Sequence, residues 1–169
     1  MGEALRLARE AAARGEVPVG AVVVRDGVVL ARGHNQVEAL RDATAHAEIL
    51  AIGAAGSARV AGAETEDGSD GDGNAPGADA GSWRLDDATL YVTLEPCTMC
   101  CGAILLARVG RVVFGAADPR AGAVVSSARL LDGNPYRHRV EVVGGILAGP
   151  CGELLRGFFR DRRRDADAG

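Results

Sequence analysis

No apolar run in this 169-residue chain approaches the roughly 18 residues needed to cross a membrane, and Arg6 stands where a myristoylation pattern at Gly2 requires Ser or Thr. No secretory leader pattern opens the chain, so its four cysteines are expected in a reducing cytosol, as ligands or core residues. Cys97, Cys100 and Cys101 are also too crowded for an ordinary disulfide framework. These absences predict a soluble, cytoplasmic protein with no membrane partner. No internal repeat is visible. Lysine is missing altogether: all 19 basic residues are Arg, which beside 24 Gly reads as compositional bias and not as function.

The formal charge of −4 would by itself argue against a nucleic-acid partner. The acid is concentrated, however. Between Ala61 and Ser82 lie Glu64, Glu66, Asp67, Asp70, Asp72 and Asp79 with no basic residue, a contribution of −6, so the rest of the chain sums to +2. From about residue 56 to 82 the composition is Gly, Asp, Ala and Pro with almost no large apolar side chain, too little to offset the entropy of ordering. The expectation is one domain over residues 1–169 interrupted by a disordered, acidic surface insertion.

Elsewhere, helix and strand signals alternate. Glu3 to Arg14 reads as an amphipathic helix stopped by Gly15. Val19–Val24 and Val28–Ala31 are β-branched runs around an Asp-Gly turn, a hairpin signal. Ala43 to Ala55 predicts a helix that begins almost at His46, with Thr44 available as its cap. A strand over Ala88–Leu94, a helix over Cys97–Arg108, a strand over Arg111–Gly115 and a candidate fifth strand over Val140–Val143 follow. Pro150 to Arg164 reads as a terminal helix, with Pro150 at its first position, an apolar stripe of Leu154, Leu155, Phe158 and Phe159, and an Arg-rich end. This alternation predicts an α/β protein with a mostly parallel or mixed sheet covered by helices.

The chemistry-bearing residues fall in two short motifs at helix starts, His46-Ala47-Glu48 and Pro96-Cys97-Thr98-Met99-Cys100. Zinc takes nitrogen and thiolate ligands in a tetrahedral shell, and a catalytic site keeps one position for water; His46, Cys97 and Cys100 supply three donors and leave that opening. Cys97 and Cys100 are three apart, on one helix face, where unpaired amides favour thiolates. Cys101, four residues from Cys97, could face the ion on spacing alone, but C-x-x-C is the spacing zinc sites use and Cys101 reads as a small buried residue. Glu48 need not ligate: a carboxylate beside an activated water can take its proton and pass it to a ring nitrogen and then to a leaving amine. A closed structural zinc site would need a fourth ligand, for which Cys151 and His34 are the available donors.

The order H-A-E then P-C-x-x-C is the signature of zinc deaminases. The chain further resembles the bacterial tRNA-specific adenosine deaminase family almost end to end, through Val17-Pro18-Val19-Gly20-Ala21, His34-Asn35, Asp42 to Glu48, Ala88 to Cys97, Val113-Phe114-Gly115-Ala116, His138-Arg139 and Phe158-Phe159-Arg160. The resemblance implies a three-layer α/β/α cytidine-deaminase-like fold around a mixed five-stranded sheet, a homodimer with one zinc ion per subunit, and a zinc-activated water attacking C6 of the wobble adenine with release of ammonia. It also implies that Asn35 hydrogen-bonds the substrate nucleoside, with Ala47, Asp118 and Ser126 at the substrate too. By the same resemblance the Asp118–Ser126 segment and Arg120, Arg139, Arg160, Arg162 and Arg163 contact the anticodon stem-loop.

Two departures bear on the substrate. Val125 stands where that family usually has Gly, and would resist a positive φ or a close backbone approach; Arg137 stands where Asn is common before His-Arg. The acidic insertion would also repel phosphates if it lay near the binding face. Two other functions therefore stay open at this point: deamination of a free nucleobase or nucleoside on the same fold, and a catalytically silent zinc module that binds RNA or protein, for which Glu48 would have no use.

Overall fold

Asp26 and Gly27 both take positive φ, 49° and 78°, the backbone of a tight hairpin turn. They join strand β1 (Gly20–Arg25) to β2 (Val28–His34) with Arg25 opposite Val28. The computed structural model, which describes residues 1–64 and 82–167, completes a five-stranded sheet with β3 (Thr89–Leu94), β4 (Arg111–Ala116) and β5 (Glu141–Val143) in the order β2-β1-β3-β4-β5. β1 runs antiparallel to both neighbours, while β3, β4 and β5 run parallel, so the sheet is mixed.

Helices cover both faces. α1 (Gly2–Ala13) and α5 (Ala148–Asp167) pack on one, and α3 (Ala47–Glu64) and α4 (Thr98–Leu106) on the other; a short α2 (Val37–Leu40) bridges β2 and α3. The period of two along β1 divides its side chains between these layers. Ala21 and Val23 join the main core with Ala51, Leu90, Val92, Ile104 and Phe114, and Val22 meets Ala4 and Leu7 of α1. Among the described residues no helix is long and apolar enough to cross a membrane.

Two glycines set how closely the layers approach. A Cβ on Gly33 in β2 would overlap the Ala47 carbonyl and lie 2.9 Å from the Ala51 amide nitrogen of α3. A Cβ on Gly20 would overlap the Ala4 carbonyl and lie 2.6 Å from the Ala8 nitrogen of α1. Both helices therefore ride with their backbones almost on the strands. Because β1 is antiparallel to β2 and β3, the start of β1 and the carboxyl ends of β2, β3 and β4 share one edge of the sheet, the edge at which open α/β folds bind ligands.

Four expectations need correction. Thr44 is not a helix cap: its amide and hydroxyl both bond Asp42 Oδ1 at 2.8 and 2.7 Å, and α3 closes its first turn with the Leu50 amide on the His46 carbonyl. α3 also continues through Glu64, so the stretch from Gly56 to Glu64 is helical, and the remainder of the acidic run lies outside the described residues. Pro150 is the third residue of α5 and not the first, still inside the turn whose amides lack helical acceptors. Position 125 does not take positive φ, so Val125 is not asked for a left-handed backbone there. Arg137, by contrast, has φ 50°, a left-handed backbone that Asn adopts readily and Arg does not.

These backbone positions set two expected stability changes. Gly33→Ala is expected to cost about 1–3 kcal/mol by overpacking, a Tm fall of several degrees in calorimetry. Arg137→Asn is expected to gain up to about 1 kcal/mol; an unchanged Tm in that variant would show that the left-handed conformation carries no cost here.

Candidate active site

His46 immediately precedes α3, and Cys97 is the N-cap residue of α4 with Cys100 in its first turn. The two helix starts meet at the sheet edge described above. His46 Nδ1 lies 3.7 Å from Cys97 Sγ and 3.5 Å from Cys100 Sγ, and the two sulfurs are 3.7 Å apart. A tetrahedral zinc with sulfur bonds of about 2.3 Å and a nitrogen bond of about 2.0–2.1 Å requires sulfurs about 3.8 Å apart and nitrogen–sulfur separations of about 3.6 Å. The three donors thus already stand at the corners zinc needs, and His46, Cys97 and Cys100 are positioned to hold the ion.

A fourth corner has no protein donor among the described residues. Cys101 is fully buried, with its thiol 3.7 Å from the Pro96 carbonyl, and burial pushes it up to about 12. Cys151 lies on the opposite face, in a cluster with Leu5 and Ala116, and His34 Nδ1 is 2.9 Å from the Asn35 carbonyl. The closed four-ligand alternative therefore has no candidate in place, and the site keeps an open position.

The electrostatics suit a cation. A hydrogen bond from the Cys100 thiol, and then one from His46, hold the Cys97 thiol down to about 3. That same bond, with burial, pushes Cys100 up, because two adjacent thiolates repel unless a positive ion joins them. Glu48, 4% exposed, is raised above the ordinary carboxylate range chiefly by burial. It lines, with His46 and Cys97, a cavity of about 320 Å³, of a size that takes a small-molecule group.

Asn35 and Asp118 line this cavity as well. Asn35 is buried, and its Nδ2 donates to Glu16 Oε2 at 3.3 Å. Ala47 is fully buried against β2 and its side chain does not reach the cavity. Ser126 is turned elsewhere, its hydroxyl donating to Glu95. Of the arginines, Arg162 reaches the cavity: its guanidinium donates to the Gly15 carbonyl at 2.6 Å and sits 5.0 Å from the centre of the Phe158 ring. Arg120 is exposed on the loop after β4, and Arg160 and Arg163 are exposed on α5. Arg139 lines a separate depression with Asp132 and Asn134.

Sequence reasoning passed over two buried carboxylates. Glu95 Oε1 accepts the amides of Val124, Val125 and Ser126 at 3.2, 2.8 and 2.9 Å, and Oε2 the Asp118 amide at 3.0 Å. Burial pushes Glu95 up, but the Ser126 hydroxyl and these amides outweigh it and hold the group below the usual range. Glu16, 1% exposed, anchors the other wall by accepting the amides of Glu38 and Ala39. The available signal was a lone acid placed directly before an apolar strand or the Pro-Cys motif.

An open three-donor zinc site with a protonatable buried carboxylate beside it is the equipment of a metal-dependent hydrolytic deaminase. Residues 1–116 match the model of the cytidine and deoxycytidylate deaminase zinc-binding region, and the chain belongs to that family. It is 43% identical to the tRNA-specific adenosine deaminase of Bacillus subtilis, over 99% of this chain and 91% of the relative. The corresponding enzyme of Agrobacterium fabrum is 44% identical over 96% of this chain and 93% of its own. A solved structure from a study of A-to-I editing by tRNA:A34 deaminases superposes with a TM-score of 0.74 at 42% identity, covering 90% of this chain and 95% of that one. A guanine deaminase from Bacillus subtilis matches less fully, with a TM-score of 0.53 and 36% identity over 69% of this chain and 61% of its own.

Cys97→Ala and Cys100→Ala are each expected to lower bound zinc to well below one ion per chain in metal analysis, whereas Cys101→Ala keeps it. Zinc loss from the Cys101 variant alone would reverse the assignment of ligands.

Proposed function

We propose that this chain deaminates adenosine to inosine at the wobble position of tRNA, with Glu48 as its catalytic acid and base. The observation that carries the chemistry is the open His46, Cys97, Cys100 triangle with buried Glu48 lining the same cavity. The near end-to-end identity with tRNA-specific adenosine deaminases supports the substrate.

Zinc, when bound, lowers the pKa of a water toward about 7 and so supplies the nucleophile at neutral pH. Glu48 accepts the proton that this water loses, a task suited to a carboxyl whose pKa burial has raised. It delivers that proton to the ring nitrogen beside C6. As the carbon–nitrogen bond breaks, Glu48 passes the second proton of the water to the exocyclic amine, which leaves as ammonia. The balance is adenosine plus water giving inosine plus ammonia. Asn35 and Asp118 orient the nucleoside from the cavity walls, and the target base must leave its stack to reach them.

The arginines divide by place. Arg162, at the cavity, and Arg120, on the loop hung from Glu95, are the groups to meet the phosphates next to the flipped nucleotide. Arg139, Arg160 and Arg163 extend that contact farther along the stem-loop. A homodimer acting in the cytoplasm completes this reading. Deamination of a free base is the alternative that the partial likeness to a guanine deaminase keeps in play.

Zinc-loaded protein offered an adenosine-wobble stem-loop beside free adenosine, guanine and cytosine is expected to release ammonia and form inosine only in the RNA. Turnover of a free base alone would move the enzyme to salvage. Glu48→Ala is expected to keep its zinc and lose turnover by at least about a hundredfold, while loss of zinc from that variant would contradict the assigned role.

A further inference from the structure

Glu16 lies just before β1 and is almost completely enclosed, yet among the described residues no basic side chain pairs with it. Burying a carboxyl without a cation is expensive unless hydrogen bonds replace the water it has lost. Here three N–H groups converge on its two oxygens. The Ala39 amide donates to Oε1 at 2.8 Å, and the Glu38 amide and Asn35 Nδ2 both donate to Oε2 at 3.3 Å.

The bond to Asn35 differs in kind from the other two, because a primary amide has a donor end and an acceptor end and can turn over. Turned over, Asn35 would set its Oδ1 against Glu16 Oε2, oxygen against oxygen in a buried place. The carboxyl therefore allows one orientation. Asn35 is itself 5% exposed, so it has little room for another rotamer. Its Oδ1 receives no donor among the described residues, and Asn35 shares the cavity with His46 and Glu48.

We propose that Glu16 is a positioning residue that fixes the rotamer and the amide orientation of Asn35, so that the cavity wall offers the substrate nucleoside one defined hydrogen-bonding pattern. The inference rests on the reading of Asn35 as a substrate contact. A site built to match a substrate's polar group loses affinity when its own group is free to present the wrong end. Glu16 also ties α2 to the strand edge, so the wall that carries Asn35 moves as one piece with β1.

The test is a double-mutant cycle on the zinc-loaded full chain, with kcat and KM measured on the adenosine-wobble stem-loop for wild type, Glu16→Gln, Asn35→Ala and the pair. The amide introduced by Glu16→Gln can itself donate to Asn35, which releases the orientation while keeping size and shape. With Asn35 intact, Glu16→Gln is expected to raise KM about tenfold with kcat within about threefold, and in the Asn35→Ala background to change KM less than about twofold, the mark of coupled residues. Equal effects in both backgrounds would overturn the proposal, as would an unchanged KM in Glu16→Gln.

Should Glu16→Gln fold poorly, the exchanged pair Glu16→Gln with Asn35→Asp restores a donor–acceptor bond of reversed polarity. It is expected to regain several degrees of Tm over Asn35→Asp alone, in which two carboxylates face each other, and no recovery would count against the pairing. A wild-type enzyme inactive on the stem-loop overturns the substrate reading instead, while the Tm comparison still reports on the Glu16–Asn35 pair.

Discussion

A missing side chain governs this molecule. α3 lies so near β2 that Gly33 has no space for a Cβ, and the backbone it would strike is that of Ala47, between the His46 ligand and Glu48. The metal corner and the proton carrier are thus referred directly to a strand of the central sheet through one backbone contact. Gly20 does the same for α1 on the other face. Close-packed interiors transmit strain, so a displacement at Gly33 bears directly on the backbone between His46 and Glu48. The cysteine corner is held just as stiffly, with Cys97 capping α4 and pairing with Gly122 in an isolated bridge.

Of the carboxylates that line the cavity, three are buried, Glu16, Glu48 and Glu95. Their environments separate their duties. Glu95 is saturated by backbone amides, which hold it ionised and make it a peg for the loop from Asp118 to Ser126. Glu48 is dominated by desolvation and holds a proton more readily. Groups of one type whose surroundings push them apart are a common arrangement for dividing structural from proton-transfer work.

Much of this was readable from the chain alone. The hairpin announced itself through Asp26-Gly27, the zinc donors through their order and spacing, and the five strands through β-branched runs. Cys101 was separable from Cys100 because a helix start carries two donors three apart to one point. What escaped was what depends on tertiary neighbours. Thr44 looked like a cap because Thr commonly is one, but the nearer Asp42 captured its hydroxyl. The start of the Gly- and Asp-rich run lacked a core signal, yet α3 propagates into it, since extending an existing helix costs less than nucleating one. Glu16 and Glu95 were passed over because most of their partners are main-chain amides, which every residue has and no motif records. The bond from the Ser126 hydroxyl to Glu95 has no sequence signature either.

α3 carries the chain well away from the metal corner before most of the acidic run begins in the sequence. α3 ends at Glu64, about 26 Å along the axis from Ala47 at 1.5 Å per residue. The chain re-enters with Trp83 beside Gly56, about 14 Å along the same axis. Both points lie farther from the metal corner than the roughly 8 Å over which charge is felt in physiological salt. The formal −4 is a sum over the whole chain, whereas an anion approaching the cavity meets first the local charges of its lining, where Arg162 stands beside Glu38 and Asp118.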